Sequence, residues 1–367
     1  MYQNQEYFPT IADILYGSFI RYDRLYEMTK FAFYGKTDSD HVNIYIDAYS
    51  ILKTLYTRGN NIQVDDSCVI ASCLINLAIH IRAYFESRHR VSSKVFIVYG
   101  GARPREAFVN YYDYNAKNII MEDSNAVMKN LIIDNLNVVS ILCPYLHDIF
   151  CVVDYENEFS VLASTLIDMQ NEDGRKTPNI VYSKEPLAYQ LVAFKPYTFL
   201  YRPKKKMSED ASWVVTKSTL YAAYLYGETN LKKELNLNLD VRMFSIFQSI
   251  AGVRSRNLNA IKNANLTVKL LDLAVASNIF ANGYNANSIF YTNPNPFEKV
   301  FDGSKIDAAM VTNRFAAIDL PFQTMLFKSS IASRDMLVGL INLYDPQEVR
   351  NINDRYFQKY PLDLNRV

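Results

Sequence analysis

The sequence predicts an α/β chain with a mainly parallel central sheet flanked by helices, followed by a mostly helical C-terminal part. Three observations predict it. Short runs rich in β-branched and aromatic residues recur, nearly continuous in apolar character, as strands buried on both faces are. Helix-length segments separate them, and such alternation argues a parallel sheet. After RPKKKMSED (202–210) the chain turns Asn-rich and helical in pattern. The expected boundary is near residue 212, giving an α/β domain over 1–212 and a helical region over 213–367.

The elements follow in order. Strands are expected at HVNIYID (41–47), KVFIVY (94–99), DIFCVVD (148–154), NIVYS (179–183) and YTFLY (197–201). The clearest helix is 64–90: Asp65, Asp66 and Ser67 supply acid and cap at its start, and Arg88, His89 and Arg90 sit where its dipole favours cations. A second helix is expected to open on ENEFSVLASTLID. NPNPF (293–297) is a break, and no internal repeat is evident.

Composition narrows the function classes. The chain has 367 residues, 49% of them hydrophobic and 21% charged, so it can bury a sizeable core. Net charge is +1, so nucleic-acid contact would rest on local patches. The four cysteines form no CxxC pair and no His clusters with them, which predicts free thiols and no zinc site. The first residues carry no signal-peptide pattern and no apolar run reaches spanning length, so a soluble protein made in a cytoplasm, with no membrane partner, is expected. Tyr (28) and Phe (21) are abundant, as on surfaces half buried against a partner.

In an open parallel sheet the functional crevice lies at the carboxyl ends of the strands. Asp47 ends the first strand and Tyr99 the second. Glu156 and Glu158 follow the third, and Glu185 follows the fourth. A strand-ending Asp is common, and acids at a helix start complement its dipole, so each position alone says little. Arg202 with Lys204, Lys205 and Lys206 forms the sharpest basic run, either a phosphate contact or a solvated loop. Tyr111-Tyr112-Tyr114 and Tyr221-Tyr224-Tyr226 could stack on bases, but their helical spacing suits packing on a core or partner.

Taken together, the order of these residues resembles the flap endonucleases and phage or bacterial 5′–3′ exonucleases of the PIN-like superfamily, over about residues 40–275. The resemblance implies a two-cation carboxylate cluster. Asp47, Glu156, Glu158 and Glu185 match its positions, with Ser183 and Tyr189-Gln190-Leu191 in frame. Tyr99, Leu187 and Arg256 stand where the family has acids. The family's DNA-gripping helix–turn–helix corresponds to 249–274, where Gly252, Asn257 and Leu271 hold the frame but Ala260, Asn263 and Asn265 replace its glycines. Of its phosphate-pulling Tyr-Lys-x-Asn-Arg, Tyr112 and Asn115 remain while Asp113 and Ala116 replace the cations. Arg103 and Arg105 persist in the preceding loop as possible DNA contacts, along with Lys204–Lys206.

Two-metal hydrolysis needs ions about 4 Å apart, each held by carboxylates. Leucine cannot ligate, a neutral phenol is a poor Mg²⁺ ligand, and Arg256 would bring positive charge toward the second ion. Losses in the metal cluster, the cations and the glycines together predict retired chemistry. The expectation is a catalytically inactive nuclease-fold protein without metal or other cofactor, reused as an assembly subunit. It would be partnered by copies of itself or other proteins, in a bacteriophage particle as a portal-proximal or tail ring. The alternatives are a divergent Mg²⁺- or Mn²⁺-dependent 5′ nuclease and a protein that binds DNA without cutting it.

Overall fold

The computed structural model describes residues 40–51, 67–101, 126–171, 176–202, 213–226, 241, 244–251, 314–315, 317–330, 332–359 and 361–366. Five strands run parallel: β1 (His41–Asp47), β2 (Ser92–Gly100), β3 (Ile149–Asp154), β4 (Asn179–Tyr182) and β5 (Thr198–Arg202). A sixth, β6 (Trp213–Val215), runs antiparallel to β5. The order is β3-β2-β1-β4-β5-β6, and Ile44 sits opposite Val95 and Ile180. The chain winds outward from β1 to one edge and then from β4 to the other. The switch between the two directions falls between β1 and β4.

Both sheet faces are covered, which is why the strands read as continuous apolar runs. One face packs against α1 (Ser67–His89), α2 (Ala126–Leu142) and the late helix α9 (Pro346–Tyr356), through Ile44, Ile97, Leu74, Leu136 and Ile352. The other face meets α3 (Phe159–Gln170), α4 (Tyr189–Phe194), α5 (Leu220–Tyr226), α6 (Phe244–Ala251) and α7 (Leu320–Lys328). On that face Tyr45, Phe96 and Phe150 stack across three strands, with centroids 5.1 and 5.2 Å apart. A short helix, α8 (Ala332–Met336), and a 3₁₀ turn (Leu337–Leu340) lie against β3.

The residues after 212 begin with a strand, where a helical pattern was expected. Trp213, Val214 and Val215 pair with Arg202, Tyr201 and Leu200. Aromatic and β-branched side chains on the sheet edge prevail over the helical trend of the following sequence. The boundary segment 203–212, with Lys204–Lys206, lies outside the described residues, as do 102–125 and 252–300. Arg103, Arg105, Tyr112, Arg256 and most of 249–274 fall there, and so do Asp65 and Asp66.

Candidate functional site

The site lies at the carboxyl ends of β1 and β4, on either side of the switch point. Asp47, the last residue of β1, is 2% exposed. One carboxylate oxygen accepts from the Ser50 amide at 3.0 Å. The other accepts from the Ser50 hydroxyl and from Ser183 Oγ at 2.5 Å. Both serines relay the contact onward. Ser183 Oγ accepts from the Glu185 amide at 2.9 Å, and Ser50 Oγ from the Lys184 amide at 3.2 Å.

Glu185 occupies the next position outward. Its carboxylate accepts from Ser160 Oγ at 2.7 Å and from the Ser160 amide, in the first turn of α3. The positive end of that helix favours the negative charge. Burial, and then the neighbouring Asp47 charge, push the Glu185 carboxyl up to about 7. Burial also raises Asp47, against the lowering pull of its serine hydrogen bonds. Arg202, at the end of β5, donates to the Lys184 carbonyl at 2.9 Å and the Glu185 carbonyl at 3.2 Å. Its guanidinium lies 4.8 Å over the Tyr189 ring. Arg202 is thus turned inward to hold the loop after β4.

Glu156 and Leu187 do not join this pair. Glu156 is exposed and precedes α3, which begins at Phe159 and not at Glu156 as expected. The reason is local: the Asp154 carboxylate accepts the amides of Glu156 (2.7 Å) and Asn157 (2.9 Å), so a turn intervenes before the helix. Glu158 is the residue capping α3, and its side chain makes no capping hydrogen bond. Leu187 is buried against Ile318. Tyr99 packs between Tyr49 (6.2 Å) and Tyr155 (5.6 Å). Where an acid would face the crevice, an aromatic cluster closes it. The glycines after Tyr99 serve close approach: a Cβ on Gly100 would lie 2.0 Å from the Phe159 nitrogen, and one on Gly101 1.9 Å from the Tyr155 carbonyl oxygen.

Sequence reasoning missed Ser50, Ser160 and Asp154. The signals were present in part, since DAYS and DYEN each place a local hydrogen-bonding partner three residues after an Asp. Ser160 gave none, because its partner is 25 positions away.

The resemblance drawn from the sequence implies a pair of divalent cations at this place. Asp47 has both oxygens engaged by serines, Tyr99 packs between two tyrosines, Leu187 is buried against Ile318, and Glu156 faces solvent. Among the described residues no three His, Cys, Asp or Glu side chains gather as a metal site. Among the described residues, these donors do not fit two divalent cations. Of the aromatic residues expected to pack, Tyr221 and Tyr224 meet Phe244 and Phe247 edge-on in the core, at 5.0–5.8 Å, while Tyr111, Tyr112, Tyr114 and the Tyr226 side chain lie outside the described residues.

No family model matches this chain, and no curated protein does. Solved structures do. The chain is similar to bacteriophage T5 nuclease structures. One is a T5 flap endonuclease in complex with DNA and metal ions, at 12% identity and TM-score 0.47, covering 84% of this chain and 98% of that one. Another is a T5 protein co-crystallised with metal ions, at 11% identity and TM-score 0.46, with the same coverage. A third is T5 5′-exonuclease with bound zinc, at 12% identity and TM-score 0.44, covering 87% and 98%.

Proposed function

We propose that this chain is a nuclease-fold protein that does not cleave nucleic acid and serves as a subunit of a larger protein assembly, a bacteriophage particle component. The observation that carries the first half is the sealed Asp47: a buried carboxylate with both oxygens bonded to serines cannot also take two divalent ions without breaking that network. The second half is supported by exposed apolar side chains along the β3 edge. Leu337, Val338, Ile341, Leu343 and Tyr344 lie in one segment there, with Ile141 at the end of α2 and Tyr155 just after β3. Clustered exposed apolar groups of this kind are a mark of protein contact.

The test is a cleavage assay on 5′-flap and nicked duplex DNA, in Mg²⁺ and in Mn²⁺, beside Asp47→Ala. No cleavage at high protein concentration by the folded chain is expected. Cleavage that vanishes in the variant would make the carboxylates a working nuclease site. Salt-dependent binding of the same DNA without cleavage would favour a DNA-holding role. Sedimentation velocity tests the assembly half: species heavier than the 42.3 kDa chain are expected, and a monomer at every concentration overturns it.

A further inference from the structure

We propose that the exposed apolar segment at the β3 edge is a two-fold contact with a second copy of this chain, the two segments lying antiparallel with Ile341 near the axis. This rests on the assembly role proposed above and names its first partner. Val338 is 66% exposed, and Leu337, Ile341, Leu343, Tyr344 and Ile141 stand about half exposed. Their supports place them on one corner. Gly339 sits so close to the Cys151 carbonyl that a Cβ would lie 2.5 Å from its oxygen, and Ser140 Oγ, next to Ile141, lies 3.5 Å from the Cys151 sulfur. The Leu343 amide donates to the Pro144 carbonyl at 2.6 Å, and the Tyr344 ring meets His147 edge-on at 5.1 Å. The turn at 337–340, the residues 341–345 and the end of α2 therefore share one surface around Cys151.

Size and charge point to a copy as the occupant. Six such side chains leave on the order of 500 Å² of apolar surface, in the upper range for a monomer and about two thirds of one partner's share of a standard interface. The backbone beneath them is already fixed. The Leu343 and Asp345 amides bond to the 3₁₀ turn at Cys143–Tyr145, and Asn342 Oδ1 takes the Tyr344 amide at 3.0 Å. Little further ordering is needed on contact. The rim carries both signs. Arg334 and Asp335 precede the apolar run, and Asp345, Glu348 and Arg350 follow it. A partner of uniform charge would meet repulsion along part of that rim. An antiparallel copy offers Arg334 an acid, Asp345 or Glu348, and offers Asp335 a cation, Arg350. It also sets Ile341, midway along the run, against itself, as a two-fold axis requires. The net charge of +1 gives two copies little long-range repulsion. Such a contact closes on two molecules, and larger assemblies are built from the pair.

The experiment follows the full chain by sedimentation velocity over a range of concentrations, beside a Val338→Asp, Leu343→Asp double variant. Both positions are exposed, so the variant's near-UV circular dichroism should match the parent's. A parent dimer, or a larger species built of dimers, is expected. The double variant should need roughly 100-fold higher concentration to associate. Ile341→Cys under mild oxidation should give a covalent dimer linked 341 to 341, absent from the unsubstituted chain. Association of the folded double variant equal to the parent's would overturn this contact and leave the assembly role standing. Self-association without a 341–341 link would overturn the two-fold arrangement. A parent that stays monomeric at every concentration, its apolar segment left to a different protein, would overturn both.

Discussion

Glu185 carries the clearest electrostatic consequence of the site. Its carboxyl stands at about 7 against an ordinary 4.5, so between those values the folded chain binds more protons than the unfolded one. Stability from this group is therefore present at low pH and lost as pH rises through the window. Urea melts should show a loss of about 3 kcal/mol across it, and Glu185→Gln, which keeps an acceptor for Ser160, should flatten the profile and stabilise the chain at pH 8. Asp47→Asn should bring Glu185 back toward ordinary titration, because the nearby charge that raises it is gone. An infrared carboxyl titration would read that shift, and an unmoved midpoint would leave burial as the sole cause. His80 has the opposite sign. Burial and Arg366 lower it, so its contribution is lost as pH falls below 6.5. Melts of His80→Asn should lose that acid limb alone.

At the level of elements, the helices beyond residue 212 are fastened to the sheet by a buried amide pair. Gln190 donates to the Gln248 side chain and to the Ile318 carbonyl, each at 2.7 Å, and accepts from the Leu320 amide at 2.8 Å. Gln248 donates in turn to the Pro186 carbonyl at 3.0 Å. Gln190→Leu strands these partners in the core and should cost about 2–4 kcal/mol by denaturant melt. The sequence made Gln190 visible only as a position in a motif, with no hint of what it joins, because its partners lie 58 to 130 residues away. The five parallel strands were legible because strands covered on both faces need unbroken apolar character. Their ends were less so. Arg90, Asp148 and Tyr197 turn into β2, β3 and β5 with φ of 50–54°, a conformation usually marked by glycine. The site was legible in Asp47, Glu185 and Ser183 and opaque in Ser50 and Ser160.

Late sequence holds the molecule at the β3 edge and over α1. On the β3 side, the Leu343 amide donates to the Pro144 carbonyl at 2.6 Å and Asp345 to Tyr145 at 3.1 Å, while His147 meets Tyr344 edge-on at 5.1 Å. The last described residues return to α1. Asn76 accepts from the Asp363 amide at 2.8 Å, His80 pairs with Asp363 at 2.9 Å, and Leu362 is buried in the core. Removing 361–367 should lower the melting midpoint and expose α1 to protease before any other helix. An unchanged digestion pattern would show that the tail rests on α1 without stabilising it. The same closure bears on how the protein is made. Contacts spanning 284 to 287 positions join α1 to residues 361–366. The side of α1 that this segment covers stays open until the segment itself has been made. Slow, late-completing folding is the expected cost of contacts so distant in sequence.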